Sequence, residues 1–475
     1  MKNTMRTGKK IRLLLLLTAA LVQSGICCKQ VIAEETAAVD DGIEDNWKDE
    51  NIAEEENEEE GLNFRPLKGG KTLELYRYNG EKSVVKIPDI VDGKPVVAIG
   101  YRAFAEMKSV KHVVIPESVT SIAHQAFSEC KKLKSVILPS GLDKIEKNTF
   151  EFCVALTDVT LPECLTSIEY RAFYDCKKLE YIDFPENLVS IGDQAFSRCN
   201  LKELNLPQSV KNIGNGAFKD CSMEQVVIPA GVKTIRGLSD CEQLKYVEMQ
   251  GNVEKIGEGA FFGCYSLEEI DVPSSVKEIG EGAFGKCRNL ERIKIPADVK
   301  KIGKNAFRGC SSLEHIKIPA GIKKIEEGTF QDCEKLSKVE LPSGLTMIRD
   351  HTFDGCKKLK TIQLPSSLKV LGYQSYDSLS LAMTPGFVFA DSGLEDIVIP
   401  ENVERLAPYC FYGTKIKSIT IKSKKLKRPD DLGGYYRLGA MKNKIIRVKV
   451  PASKLKDYKE MISTGSNTEL RFEPL

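Results

Sequence analysis

The sequence lacks the residues and spacings on which most enzymes and metal sites depend. It has only four histidines in 475 residues, and none of them stands at a metal-binding spacing from another histidine, a cysteine or a carboxylate. There is no nucleophile elbow, no phosphate-binding loop and no zinc signature. His124 and His351 lie just before a recurring phenylalanine, where other parts of the chain carry Lys, Asp, Glu, Asn or Gln, as in a solvated turn. We therefore expect a protein without catalytic activity, cofactor or bound metal.

Long hydrophobic runs are also scarce. Leu13 to Val22 follows a positively charged start and is too short for a stable membrane anchor, so residues 1–33 are predicted to be a secretory signal peptide. Cys27 and Cys28 leave lipidation open as an alternative, although the residue before Cys27 is Ile26 rather than a small residue. No second apolar run of about 18 residues follows. We expect a secreted or surface-held protein with no transmembrane segment after the signal.

The small net charge of +2 conceals a strong asymmetry. Residues 34–60 contain fourteen acidic side chains and one basic one, Lys48, and few apolar side chains. Such a segment cannot bury enough surface to offset its ordering entropy, so a disordered acidic leader is predicted. A solvated spacer and a cation-binding or self-masking tail are both consistent with it. The chain after the leader is modestly basic.

The dominant feature of the chain is an internal repeat. A phenylalanine, usually preceded by Ala or Thr, recurs with gaps that are mostly 23 residues. These residues are Phe104, Phe127, Phe150, Phe173, Phe196, Phe218, Phe261, Phe284, Phe307, Phe330, Phe353, Phe389 and Phe411. Self-similarity at this period is typical of a solenoid, in which each unit buries its apolar side against its neighbours.

The unit at 290–312 shows what each repeat requires. Leu290-x-x-Ile293-x-Ile295 fits the strand of a leucine-rich repeat, and Pro296 ends that strand because it has no amide hydrogen to donate. Gly303 is predicted to permit a turn with positive φ. The segment around Phe307 is predicted to form a short helical or 3₁₀ turn. The fold class is therefore a leucine-rich repeat solenoid, strand-rich and α/β horseshoe-like, with parallel stacked strands and about 14 repeats.

These residues resemble the BspA-like leucine-rich repeat family of bacterial surface proteins. The family pattern is close to L-x-x-I-x-I-P-x-x-V-x-x-I-G-x-x-A-F-x-x-C, and the resemblance covers residues 72–460. The segments Val84–Pro88 and Val448–Ala452 resemble the first and last units of the family. The resemblance implies binding of host matrix glycoproteins, such as fibronectin and fibrinogen, or of other bacteria, and it carries no catalytic motif.

Deviations from the period divide the chain. We predict an N-terminal cap and first repeat at 61–103, a solenoid at 104–422 and a C-terminal cap at 423–475. The unit at Leu238 is three residues short and replaces Phe by Leu, which predicts a kink or a thin spot in the core. Thirteen residues are inserted at about 372–388, and their apolar side chains either pack beneath a loop or contact a partner.

Within the C-terminal cap, Ile445 to Val450 is predicted to be the last strand. Residues 452–462 are predicted to form a capping helix, because apolar side chains recur there three residues apart.

Eleven of the 15 cysteines occupy one repeat position, three residues after the phenylalanine. They are Cys130, Cys153, Cys176, Cys199, Cys221, Cys241, Cys264, Cys287, Cys310, Cys333 and Cys356. Disulfides are disfavoured because stacked repeats give parallel Cβ vectors. We interpret the column as buried free thiols, with zinc binding or redox storage as the alternative.

Candidate functional residues are the outward-facing side chains of the repeat strands. An acidic-aromatic patch contains Tyr181, Asp183, Glu203, Tyr246, Glu248, Glu269 and Asp271. A basic patch follows it and contains Arg292, Lys294, His315, Lys317 and Lys338. A cluster of one sign orients a charged partner, although a solvated face with no ligand would have the same composition.

The sequence therefore predicts a non-catalytic, monomeric protein that binds an anionic protein or glycoprotein through these two patches. Nucleic acid is a poor fit because the basic patch is short and the protein is exported. The alternatives are a structural spacer of the envelope without a specific ligand, and a thiol or metal sink.

Overall fold

The computed structural model describes residues 61–372, 386–427, 436–439, 441–464 and 468–475. The predicted signal peptide, the acidic leader and residues 373–385 of the insertion lie outside the described residues. The first five strands are β1 (Leu62–Pro66), β2 (Leu73–Tyr78), β3 (Val84–Lys86), β4 (Ile90–Val91) and β5 (Lys94–Ile99).

Short strands then recur along the solenoid. They are β6 (His112–Val114), β7 (Ser121–Ile122), β8 (Ser135–Ile137), β9 (Lys144–Ile145), β10 (Asp158–Thr160), β11 (Ser167–Ile168), β12 (Ser190–Ile191), β13 (Asn212–Ile213), β14 (Gln225–Ile228), β15 (Thr234–Ile235), β16 (Tyr246–Met249), β17 (Lys255–Ile256), β18 (Glu269–Ile270), β19 (Glu278–Ile279), β20 (Arg292–Ile293), β21 (Lys301–Ile302), β22 (His315–Lys317), β23 (Lys324–Ile325), β24 (Lys338–Glu340), β25 (Met347–Ile348), β26 (Val370–Leu371), β27 (Asp396–Ile399), β28 (Arg405–Leu406) and β29 (Ser418–Ile421).

The C-terminal elements are β30 (Tyr436–Arg437), β31 (Ile445–Val450), a 3₁₀ turn (Ala452–Lys454), α1 (Leu455–Met461), β32 (Ile462–Ser463) and β33 (Glu469–Pro474). Tyr458 and Met461 of α1 are buried, and the Tyr458 hydroxyl donates a hydrogen bond to the carbonyl of Ser423 (2.8 Å). No helix in the described ranges is long and apolar enough to span a bilayer.

Most coils contribute a strand to one or both of two parallel sheets, and each sheet is divided into shorter ladders along the solenoid. The first sheet contains the strands equivalent to β20, and the second sheet contains those equivalent to β21. Residues pair at the repeat offset, so that His315 lies beside Lys338 and Ile279 beside Ile302. Apolar side chains such as Ile293, Val299 and Ile302 point inward and are buried. The predicted leucine-rich repeat solenoid with parallel strands is confirmed.

The solenoid has about 16 turns, two more than the prediction. The phenylalanine marker missed the coils that contain β31 and β33, which pair in parallel and in register from Ile445 beside Glu469 to Val450 beside Pro474. The prediction that 445–450 is the last strand is therefore wrong, because β33 follows it.

The third side of each coil is built from short turns with i→i+3 backbone hydrogen bonds, such as that from the Cys310 amide to the Phe307 carbonyl (3.1 Å), and these turns do not extend into a helix. Residues on both sides of Phe307 have positive φ, at Asn305 (53°) and Gly309 (73°), and this left-handed backbone cannot continue a right-handed helix. Turns of neighbouring coils are joined by backbone hydrogen bonds, such as that from the Phe307 amide to the Thr329 carbonyl (2.9 Å).

Gly303 has a different role from the one predicted. Its φ is not positive, and a Cβ at this position would lie 2.5 Å from the Glu281 amide nitrogen of the preceding coil. Glycine is needed here because two backbones approach closely.

The repeated phenylalanines form a buried stack through the core. Neighbouring rings from Phe104 to Phe218 and from Phe261 to Phe411 are nearly parallel, with centroids 4.9 Å apart at the closest and 5.9 Å apart at the widest. The stack is interrupted at Leu238, and β13 and β15 are not paired there. Turn-side bonds, such as Phe218 amide to Gly237 carbonyl (2.8 Å), continue across the gap. The ring stack therefore has a gap at the short unit, while Leu238 itself is buried in the core. A kink or a thin spot there stays a prediction.

A column of thiols runs beside this stack. The eleven repeat cysteines are buried, and none of them forms a disulfide. Each repeat thiol donates a hydrogen bond to the carbonyl of the Phe, or Leu238, in the preceding coil, as from Cys310 Sγ to Phe284 O (3.1 Å). Burial raises the pKa of Cys130 and of Cys241 to about 12, so these thiols remain protonated donors at neutral pH.

Candidate functional site

The candidate site lies on the outer face of the first sheet, where alternate strand residues point away from the core. Strand pairing places Glu269 beside Arg292, His315 beside Lys338, and Lys317 beside Glu340. Residues predicted from separate repeats are therefore neighbours in space. Neighbouring parallel strands are about 4.8 Å apart, so side chains from successive coils can contact one partner together.

The basic patch contains an internal carboxylate, Glu340, which was not predicted to belong to it. Glu340 accepts contacts from Lys338 Nζ (2.8 Å), His315 Nε2 (3.3 Å) and Lys317 Nζ (3.9 Å). The hydrogen bond from Lys338, with the charges of His315 and Lys317, lowers the pKa of the Glu340 carboxyl. The carboxylate therefore neutralises part of the patch and holds Lys338 and His315 in place.

Three cations of the patch project further into solvent. The Arg292 side chain is 80% exposed and lies 3.5 Å from the exposed Glu269, and Lys317 is 78% exposed. Lys294 is exposed and forms no ion pair within the part of the chain that the structure describes. Ion pairs between such exposed groups contribute little to stability, so these three side chains are the ones available to a partner.

The acidic-aromatic patch is less regular than the sequence suggested. Tyr181 and Tyr246 are 57% and 54% exposed. Asp183 and Asp271 are also exposed, whereas Glu248 is half-buried and accepts a hydrogen bond from Gln250 Nε2 (3.0 Å). Tyr181 and Asp183 lie in a coil without an assigned first-sheet strand, so the first sheet is interrupted between β10 and β14.

The two ends of the insertion, at Gly372 and Gly386, lie close together in the structure. A Cβ at either Gly372 or Gly386 would lie within 2.4 Å of the Ala407 Cβ, so both ends of the insertion pack on the same side chain. Phe387 then contacts the rings of His351 (5.5 Å), Tyr409 (6.0 Å) and Tyr412 (5.7 Å). This cluster was not predicted because its rings are up to 61 residues apart in the sequence.

The described residues contain no group of three or more His, Cys, Asp or Glu side chains that could hold a metal ion. His351 is half-buried and pairs with Asp354 (2.9 Å), and this hydrogen bond raises the pKa of the imidazole. His112 Nδ1 contacts Ser135 Oγ (3.0 Å). These histidines take part in local packing on different sides of a coil.

A second concentration of positive charge, which was not predicted, lies beyond the patches. Residues 415–475 contain sixteen Lys and Arg and six Asp and Glu. The run Lys422 to Arg428 is basic in the linear sequence, whereas the remaining cations are distributed over several short elements.

Comparisons with known proteins agree with this architecture. A family model described as "BspA type Leucine rich repeat region" matches in several copies over residues 97–224, 166–291, 212–336, 254–382 and 383–430. No curated protein matches the chain.

Two solved structures are similar over most of their length. A leucine-rich repeat protein from Bacteroides ovatus is 24% identical, with a TM-score of 0.53, and the alignment covers 87% of this chain and 98% of that chain. A leucine rich cell surface protein from Faecalibacterium prausnitzii is 28% identical, with a TM-score of 0.52, and the alignment covers 68% of this chain and 97% of that chain.

Proposed function

The chain belongs to the BspA-type leucine-rich repeat family, and from this membership we propose that it is a secreted or surface-held, non-catalytic binding protein. Its partner is an anionic protein or glycoprotein of a host or of a neighbouring cell. The partner is held by the basic patch, with the acidic-aromatic patch beside it providing orientation. The similar protein from Faecalibacterium prausnitzii is described as a cell surface protein, which supports the proposed location.

The observation that carries this proposal is the exposure of Arg292, Lys294 and Lys317 on adjacent coils. Their weak or absent ion pairing leaves positive charge that a partner can neutralise. Glu340 fixes the neighbouring Lys338 and His315, so less side-chain entropy is lost when a ligand binds there.

The two exposed tyrosines support the same face. Tyr181 and Tyr246 present large amphipathic rings, a residue type that is common at the centre of protein interfaces. Val227 on an intermediate coil is 37% exposed on the same face.

The proposal is tested with the variant Arg292/Lys294/Lys317→Glu. Binding of the full chain to an array of matrix glycoproteins and sulfated glycans is measured at two salt concentrations. We expect a salt-sensitive interaction that is lost by at least about tenfold in the variant. The matched control is Lys132/Lys300/Lys358→Glu, which changes net charge equally at exposed lysines outside the patch. Equal loss in both variants would contradict the assignment to the patch.

A structural spacer is the second candidate function. This function is favoured by the solenoid itself, because the buried side chains of the described coils form one continuous core. A spacer would capture no partner from the array, and the charge reversals would leave its behaviour unchanged.

A further inference from the structure

The C-terminal coils carry more uncompensated positive charge than the basic patch. Residues 415–475 have an excess of ten basic over acidic side chains, while the whole chain has a net charge of only +2. Several carboxylates in reach already have a cationic partner, as Glu395 with Lys417 (2.5 Å), Glu404 with Lys427 (2.9 Å) and Asp457 with Lys454 (2.9 Å).

Other cations of this region are exposed and form no ion pair among the described residues. They are Lys415, Lys422, Lys424, Lys442, Lys444, Arg447, Lys449, Lys456 and Lys459, and we call them the cationic collar. Glu473 is the strand neighbour of Lys449 but forms no ion pair with it among the described residues, so most of the positive charge of the collar is not neutralised by ion pairs there.

Backbone pairing places the collar around several sides of the last coils. The Lys442 amide bonds to the Thr414 carbonyl (2.9 Å), which brings Lys442 beside Lys415 at the start of the strands. Arg447 and Lys449 lie on the outer face of the first sheet. Lys456 and Lys459 lie on α1, next to the buried Tyr458.

Two arginines of these coils meet in an arrangement that is unfavourable for the isolated fold. Arg447 on β31 is the direct neighbour of Arg471 on β33. Like charges at facing positions of a sheet repel each other. Arg471 is paired with Glu469 (2.9 Å), whereas Arg447 has no carboxylate partner among the described side chains. A bound anion would relieve this repulsion.

The dimensions favour a planar anionic partner. Strands β29, β31 and β33 are adjacent rungs, so together they span about 10 Å along the solenoid. The Debye length at physiological salt is about 8 Å. A planar anionic surface that contacts β33 would therefore attract the cations on every side of these strands. An extended anionic polymer would contact the cations on one side only.

Apolar groups accompany the charges. Ile445 is 45% exposed and Leu475 is 56% exposed, and Leu470 and Phe472 of β33 are half-buried. Such residues can enter the headgroup region of a bilayer while lysines contact phosphate groups.

We propose that the cationic collar docks the C-terminal coils onto an anionic lipid surface. The attraction is electrostatic and peripheral, and it uses residues distinct from the basic patch. It would leave the basic patch accessible to a partner, because that patch lies on other coils of the first sheet.

The test uses the full chain and vesicles of phosphatidylcholine alone or with about one third phosphatidylglycerol. We expect sedimentation with the anionic vesicles only, and weaker binding as salt rises. The variant Lys442/Lys444/Arg447/Lys449→Glu should bind at least about tenfold more weakly. A Gln set at the same positions removes the charges without adding repulsion and should give a smaller loss.

The matched control is Lys132/Lys300/Lys323/Lys358→Glu, which makes the same change in net charge at exposed lysines elsewhere. It should bind anionic vesicles normally, as should Arg292/Lys294/Lys317→Glu. Equal binding to both vesicle types, or equal loss in the control, would overturn the proposal. Binding of a soluble sulfated polysaccharide through the collar without vesicle binding would overturn it in favour of an anionic polymer. Circular dichroism of each variant checks that the fold is retained.

Discussion

At the scale of single residues, stability depends on side chains that recur once in every coil. Phe307 is fully buried and lies between Phe284 and Phe330, with ring centroids 5.4 and 5.5 Å away. Cys310 lies beside it and donates its thiol hydrogen to the preceding coil. A substitution at either position therefore removes contacts between neighbouring coils as well as within its own coil.

Phe307→Ala should lower the free energy of unfolding by about 3–5 kcal/mol, because the cavity would be enclosed by rings that cannot collapse into it. Urea denaturation followed by circular dichroism measures the change. Phe262→Ala is the control, since Phe262 is half-exposed on the turn side and lies against Lys286. A loss for Phe307→Ala as small as that of the control would contradict the role of the stack.

The thiol column predicts an unusual sensitivity to alkali. The pKa of Cys130 and of Cys241 is raised from an ordinary 9.0 to about 12 by burial. Between these values the unfolded chain loses a proton that the folded chain keeps, so stability is complete below pH 9 and falls as pH rises towards 12. Each such thiol costs up to about 1.4 kcal/mol per pH unit in this window.

Unfolding free energy measured between pH 8 and 11 should therefore fall steeply. In the double variant Cys130→Ala/Cys241→Ala the slope should be shallower, although the starting stability is lower. A slope that is identical in the two proteins would show that these thiols are not the titrating groups.

At the scale of secondary-structure elements, the coil around Leu238 is the irregular one. The phenylalanine stack and the pairing of β13 with β15 both stop there, while Val226, Ile235 and Leu238 remain buried. Core packing is therefore continuous, but fewer backbone hydrogen bonds cross this boundary than cross the boundary between β19 and β21.

Amide hydrogen exchange should be faster in β13 and β15, which each have one paired neighbour, than in β17 and β19, which are paired on both sides. Local opening costs less where backbone hydrogen bonds between rungs are missing. The comparison is internal, because all four strands have the same length and position in the repeat. Equal protection of the two pairs would mean that the defect does not weaken the solenoid.

The elements also show what could be predicted from sequence. The 23-residue period and the inward Ile, Val and Phe positions are sufficient to specify the stacked parallel strands, because each apolar side chain has one possible buried face. The left-handed backbone of the turn side was not predicted, because the position two residues before the phenylalanine is glycine in some coils, as at Gly216 and Gly328, but carries a side chain in others, as at Asn305. Strand β33 was missed because ELRFEP lacks the repeat pattern and is defined by its partner β31.

The candidate site could be predicted only in part, because strand alternation specifies which side chains face outward but not which contacts they form. Outward positions follow from strand alternation, so the exposure of Arg292, Lys317, Tyr181 and Tyr246 could be anticipated. The contacts of Glu340 depend on rotamers and on the register between coils, and the sequence pattern does not specify them. The cationic collar was missed because its members are brought together by β31, α1 and the loops between them.

At the scale of the whole molecule, the described coils carry two positively charged surfaces on different elements. The basic patch lies on β20, β22 and β24 and their flanks, and the cationic collar lies around β29, β31 and α1. Their separation allows one surface to be changed without the other. The two charge-reversal variants should therefore lose different interactions, partner capture in one case and vesicle binding in the other.

The central claim, that a partner binds the outer face of the first sheet, is tested most directly by hydroxyl-radical footprinting of the full chain with and without its captured partner. Tyr181, Tyr246 and His315 should become protected when the partner binds. Tyr76, Tyr101 and Tyr412 are 40%, 52% and 43% exposed on other parts of the chain and should react unchanged. Protection of Tyr412 or Tyr101, with Tyr181 and Tyr246 still reactive, would contradict the claim and place the binding face elsewhere.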